Sequence, residues 1–204
     1  MPSNVCSQTV MVPAVALNTG NGDTVPGGRL VSKTGSAVAP AQVGQKLYLG
    51  GDEVRYDATV GTLYGGGYQY VSFHSDGLAY ARGQIVFWRA TTGITSFDTT
   101  NVNPFARYDG NQAGIVLQTM TASRYGWIQV SGLASVLFNI TLSKATPAVK
   151  DLVVHITSSC FADVVDDATP VTASIHKRAI GVAAEAPCAG TISLVELYDQ
   201  FRDV

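Results

Sequence analysis

The chain has 204 residues, of which only 14% are charged, and a net charge of −2. That balance leaves no electrostatic footprint for nucleic acid and no polybasic patch for a membrane surface, and no apolar run approaches the ~20 residues that span a bilayer. The 21 glycines and the recurrent short runs of Val, Thr, Ile and Tyr are instead the composition of a turn-rich all-β protein, one domain or two small ones.

Residues 1–44 carry only three charged side chains, Asp23, Arg29 and Lys33, and are punctuated by Gly and Pro (TGNGDTVPGG, GSAVAPAQVG). Alone, such a segment cannot bury enough apolar surface to offset its ordering entropy. Residues 5–17, VCSQTVMVPAVAL, are nonetheless apolar and β-prone, like an edge strand that pairs with another chain. Two readings fit: an extended arm that packs along a neighbouring subunit through Val5, Val10, Val12, Val15 and Leu17, or a loop wrapped over its own domain. The N-terminus has no basic region followed by an apolar core, so no secretory signal is expected and synthesis in a reducing cytoplasm is. Cys6, Cys160 and Cys188 form no CxxC pair and no metal spacing, and reduced, buried thiols are expected at Cys160 and Cys188.

A first β unit is expected over residues 45–134. It opens with an aromatic stretch: six of the nine tyrosines fall between Tyr48 and Tyr80. Gly65, Gly66 and Gly67 predict a turn or bulge. The neighbouring Tyr64, Tyr68 and Tyr70 suit sugar stacking or subunit contact, or simply half-buried strand positions. Asp76-Gly77 predicts a hairpin turn. A strand, GQIVFW, follows at residues 83–88, then a long polar connection broken by Pro104 and Gly110. Residues 113–130 form a hairpin in which Gly114 opens the run Ile115, Val116, Leu117, and Gly126 opens the run from Trp127 to Val130. Trp88 and Trp127 are expected in the core.

A second β unit, residues 135–204, repeats the first. At an offset of 67, Ile85, Val86 and Phe87 fall on Leu152, Val153 and Val154, Gly114 on Gly181, Ile115 on Val182 and Gln118 on Glu185. One offset holds without a gap from Gly83 to Gln118. Beyond it the second hairpin reads three residues shorter, so that Gly190 answers Gly126, Ile192 answers Ile128 and Leu194 answers Val130. The run VKDLVVHIT reads as a strand although Thr146-Pro147 is a helix-start signal, and LVELYDQFRDV reads as a last strand with a helical turn. Two copies are fewer than a solenoid needs. The expected fold class is therefore all-β: duplicated small β-barrel or sandwich units behind an extended N-terminal arm.

Little in the chain suggests chemistry. His74, Ser75 and Asp76 are adjacent in a turn and cannot converge on one centre as a hydrolase requires. His155 stands where the first repeat has Trp88, and His176 lies beside Lys177 and Arg178 at an expected surface. There is no nucleophile elbow, no HExxH, no phosphate loop and no dinucleotide fingerprint. Asp163, Asp166 and Asp167 lack the alternation of a calcium loop. Asn139-Ile140-Thr141 fits a glycosylation acceptor, which has no meaning without secretion. No catalytic residue, metal or cofactor is expected, and the chain is read as a non-enzyme.

The repeated phrase, GQIVFW, a loop, AGIVLQT, a small-residue turn and GWIQV, resembles the head decoration, or cement, proteins of tailed bacteriophages. The phrase RAIGVAAEAPCAGTISLVELY is similar to that family's ending. The resemblance spans about residues 83–197 and departs from the smaller members in carrying the unit twice and adding an N-terminal segment. It implies a β-rich structural virion protein, made in the host cytoplasm, that binds the major capsid protein on the outside of an icosahedral head and forms a homo-oligomer, trimer or dimer, with no nucleic-acid or membrane partner. The contact residues expected on physical grounds are those of the arm, Val5, Val10, Val12, Val15 and Leu17, and of the tyrosine patch, Tyr64, Tyr68 and Tyr70. Two other roles fit the same residues: a fibre-like module that recognises host glycans through the Tyr/Gly region, and another virion component of tail or connector.

Overall fold

The short β-branched and aromatic runs become strands; one set of five closes into a barrel by strand pairing, and a second sheet of five is drawn round into a second, incompletely paired barrel by a single bridge. A computed structural model describes residues 43–44, 46–57, 61–75, 79–89, 97–101, 112–119, 121–156, 160–166, 170 and 172–199. Val5, Val10, Val12, Val15, Leu17, Cys6, the Asp76-Gly77 turn, Pro104, Gly110 and Asp167 lie outside the described residues.

The first sheet holds β1 (Lys46–Asp57), β2 (Gly61–Phe73), β3 (Ile85–Trp88), β4 (Asp98–Thr100), β5 (Gln112–Val116) and β6 (Arg124–Gln129). Its order is β1-β2-β4-β3-β5-β6, and β6 pairs back onto β2, so β2 to β6 form a closed barrel with β1 paired alongside β2. The second sheet holds β7 (Gly132–Leu137), β8 (Leu152–His155), β9 (Ala162–Val164), β10 (Ala179–Ala183) and β11 (Ile192–Leu197) in the order β7-β11-β10-β8-β9. A parallel bridge from Phe138 to Ala162 returns β9 to the end of β7. A six-residue helix, α1 (Ala173–Arg178), precedes β10, capped by Thr172 and ending in His176, Lys177 and Arg178, which complement the helix dipole at that end.

The two units have one topology, strand for strand. In the first, the parallel pair is β2 with β4 at Phe73 and Thr99; in the second it is β7 with β9 at Phe138 and Ala162. The pairs Ile85–Ile115, Val86–Gly114 and Phe87–Gln112 recur as Leu152–Val182, Val153–Gly181 and Val154–Ala179, with the register shift at the same place in both. Even the turn before the second strand of each unit is copied. Gly83 N donates to Val116 O at 2.8 Å and Lys150 N to Ala183 O at 2.7 Å. The Ala81 N–Gln84 Oε1 bond of 2.9 Å returns as Ala148 N–Asp151 Oδ2 at 2.7 Å. The interiors match as well: Val71, Phe73, Val86, Ala113, Val116, Ile128 and Val130 correspond to Val136, Phe138, Val153, Ile180, Ala183, Val195 and Leu197.

These registers correct the sequence reading in five places. The offset of 67 does not hold without a gap from Gly83 to Gln118, because Thr99 and Thr100 of β4 answer Ala162 and Asp163 of β9, four residues short of it. The offset of 67 continues through the second hairpin: Val116 faces Ile128 as Ala183 faces Val195, so the hairpin is not shortened and Gly190 answers Ser123, not Gly126. Ser123 and Gly190 share a left-handed backbone, with φ of 59° and 70°. Strand β7, which has no counterpart in the expected elements, starts the second unit at Gly132, so a boundary at 134/135 falls inside it. Helix α1 was also not expected. Finally, Gly65, Gly66 and Gly67 make no turn; they continue β2, and the bulge lies opposite them in β1, between Leu49 and Val54.

Candidate functional site: the rim of the second barrel

One end of the first barrel is spent on joining the units. The turn leading into β3 wedges beside β7: Leu137 N donates to Gly83 O at 2.8 Å, and Ile85 N donates to Cys160 O at 2.9 Å. Gly83 takes φ +82°, and a Cβ there would stand 2.9 Å from Leu137 N, so only glycine allows this approach. The outward side chains Ile85, Phe87 and Ile115 enter the second unit's core, and the Phe87 ring meets His155 edge to face at 4.9 Å. Gln112 Nε2 reaches Lys177 O at 2.8 Å, and the Cys160 thiol donates to Asn101 O at 2.6 Å.

The corresponding end of the second barrel is covered by nothing among the described residues. On its β7/β11 side, Ile140 is 83% and Ile192 40% exposed. Between them, Gly190 N donates to Asn139 O at 2.7 Å, and Asn139 Nδ2 to Thr141 O at 2.9 Å. Ser143 N and its hydroxyl both donate to Asp163, and Glu185 Oε1 accepts from Leu194 N at 2.8 Å. On the β8/β10 side, Val149 is 54% exposed, while the 2.8 Å Lys144–Asp151 ion pair braces the turn below it. The loops are thus held by their own hydrogen bonds while large apolar groups face outward. A surface of this kind, fixed and apolar, loses little entropy on docking; covering one isoleucine contributes about 1.5–3 kcal/mol.

The tyrosines are placed differently from the sequence expectation. Tyr68 and Tyr70 are 0% and 1% exposed, so neither offers a face to a partner or a sugar. Tyr70 packs edge to face on Trp127 at 5.3 Å, and the Tyr68 hydroxyl donates to Tyr64 O at 2.5 Å. Burial pushes the phenol pKa of both well above the ordinary 10.0. Tyr64 is half-buried. The physical reason is that the outward face of β2 is itself covered: Tyr70 stands cross-strand from Trp127 and packs on it, and β7 lies against β2. Trp88 fills the core of the first unit, as expected; Trp127 is buried too, but on the outward face of β6 against Tyr70, not in that core.

Of the histidines, His74 lies beside Arg89 at the mouth of the first barrel, His155 is buried and His176 is exposed on α1. Asp163 is engaged by Ser143 and by its own Val164 N at 2.7 Å. Among the described residues no group of three His, Cys, Asp or Glu is placed to hold a metal, and no helix is long and apolar enough to cross a membrane. Sequence reasoning missed this rim: Ile140 and Ile192 stand where the first unit has Ser75 and Tyr125, and the Ser75–Ile140 match rests on the pairing of β2 with β7, which the sequence pattern does not show.

Cys160 is buried as expected, but Cys188 is exposed in the loop between β10 and β11. Burial pushes the Cys160 thiol from the ordinary 9.0 up to about 12. In a Cys6→Ser background, a thiol reagent at neutral pH is expected to label Cys188 in the native protein and Cys160 only on unfolding; equal rates at both would contradict the structure. The raised value also fixes a sign. The unfolded chain releases this proton first, so the contribution of Cys160 to stability is constant below pH 9 and declines as pH rises from 9 towards 12.

The chain matches no protein-family model and no curated protein. Among solved structures it is similar to the N base of the gp8.5 head fibre of bacteriophage phi29, at 9% identity and a TM-score of 0.39, over 67% of this chain and 97% of that one.

Proposed function

We propose that this chain is a structural virion protein that decorates the outside of an assembled phage head, seating the Ile140–Ile192 side of its second barrel on the major capsid protein. The observation that carries the reading is the pairing of rigid, hydrogen-bonded loops with exposed large apolar side chains at that rim. The sequence resemblance to cement proteins points the same way. Affinity for the assembled shell alone, and not for its free subunits, stabilises the shell by mass action. Two barrels fused without a flexible linker transmit load between contacts without first having to be ordered.

The test is co-sedimentation with heads stripped of the protein, paired with the temperature at which the heads release DNA. Wild-type protein is expected to bind and to raise that temperature. Ile140→Asp, at an 83% exposed side chain, is expected to fold normally and to bind about 10- to 100-fold more weakly. Heads that neither bind the wild-type protein nor gain heat tolerance from it would contradict the proposal.

A further inference from the structure

We propose that the 150–152 corner of the second unit is a docking plug for a second copy of this chain, entering beside β2 of the neighbour. The corner is the repeat of the 83–85 turn that already joins the two units. Lys150 holds φ 72° where Gly83 holds 82°, a left-handed conformation that costs a lysine roughly 1 kcal/mol or more. The flanking bonds are copied too: Ala183 N donates to Asp151 O at 2.9 Å as Val116 N does to Gln84 O at 3.0 Å. What differs is cover. Ile85 and Ile115 are 1% and 2% exposed against the second unit, whereas Leu152 and Val182, their equivalents, are only partly buried and Lys150 is exposed.

The corresponding place on the first unit is closed by the chain's own backbone bonds. On the second unit the 83–85 turn sits by Ser135, Leu137 and Cys160. The same places on the first unit are Tyr70, Ser72 and Phe97. There Ser72 N bonds Phe97 O directly at 3.0 Å, and Gly44 fills the remaining position, donating to Tyr70 O at 2.7 Å. Gly44, with φ +90°, lies against the Phe97 ring, so it occupies the plug's place as a cap. A cleft of about 250 Å³ lined by Ser72, His74, Asp98 and Tyr125 opens beside this seam. Entry of a neighbour's plug exchanges the Gly44–Tyr70 and Ser72–Phe97 bonds for two of the kind made at the internal junction. Such a contact is head to tail: it uses different surfaces on the two copies, so it closes into a ring or runs on as a filament.

Sedimentation velocity on the full chain, without heads, tests this. A Cβ at position 44 would stand 2.2 Å from the Phe97 ring, so Gly44→Val should dislodge the cap and shift association to concentrations at least tenfold lower. Leu152→Glu should return both wild type and Gly44→Val to monomer with native circular dichroism. Val149→Glu, at an exposed side chain beside the corner, serves as the second plug variant should Leu152→Glu fail to fold. Wild type and Gly44→Val that stay monomeric at every concentration, or a Gly44→Val chain whose association survives the plug substitutions, would overturn the proposal.

Discussion

Phe87→Ala is expected to lower stability by about 3–5 kcal/mol, the range for emptying a well-packed phenylalanine site. The ring is 0% exposed and belongs to the first unit by strand but to the second by packing, so its loss opens a cavity at the junction of the two. At this chain length each kcal/mol moves the melting temperature by about 2–4 °C, which makes the drop roughly 6–20 °C. The repeat supplies the control. Val154 occupies the same register position in the second unit, where it lines a small surface pocket with Ile175 of α1 and not a unit boundary. Val154→Ala removes fewer atoms and leaves the junction intact, so its effect should be clearly smaller. Paired thermal denaturation curves of the two variants check this; equal shifts would mean that the junction carries no special load.

Gly181→Val and Gly114→Val should each be at least as damaging as ordinary overpacking, about 1–3 kcal/mol, because neither has a flexible neighbour that can yield. A Cβ on Gly114 would stand 2.4 Å from Gln129 O, and one on Gly181 2.1 Å from Glu196 O; both oxygens are backbone of the adjacent strand. The barrel must therefore open locally to admit any side chain. Gly181 is the same repeat position as Gly114, so the two substitutions should behave alike, each with a melting temperature lower by about 2–12 °C or an insoluble product. A Gly181→Val chain that melts within a degree of wild type would show that the strands are not in this register.

Legibility followed burial. The offset of 67 was readable between β3 and β8 and between β5 and β10 because these short strands carry the same inward residues, Val86 and Val153, Ala113 and Ile180, Val116 and Ala183. It was lost at the first strand of each unit, where the offset is 65 and the outward faces diverge: Tyr68, Tyr70 and Trp127 in one copy stand opposite Leu133, Ser135 and Leu194 in the other. Only Val71 and Phe73, facing Val136 and Phe138, betray that pairing, too few to find β7 by pattern. The slip in the second hairpin came from matching glycine to glycine. The conformation that matters at Gly190 is a positive φ, and the first unit supplies it with Ser123. The tyrosines misled for a related reason: aromatic residues between glycines read equally as surface platforms or as enclosed strand positions, and which one holds is decided by what packs on the outward face of β2, Trp127 and β7, a tertiary fact. The exposed rim could be seen only after the units were superposed, since an isoleucine in a loop carries no signal of its own.

The most direct measurement is cryo-electron microscopy of phage heads saturated with the purified protein. The account predicts paired-barrel density on the outer surface, with the Ile140–Ile192 rim of the second barrel against the shell and the Ile140→Asp variant absent from it. Bare heads at saturating protein, or density seated through any other face, would contradict it.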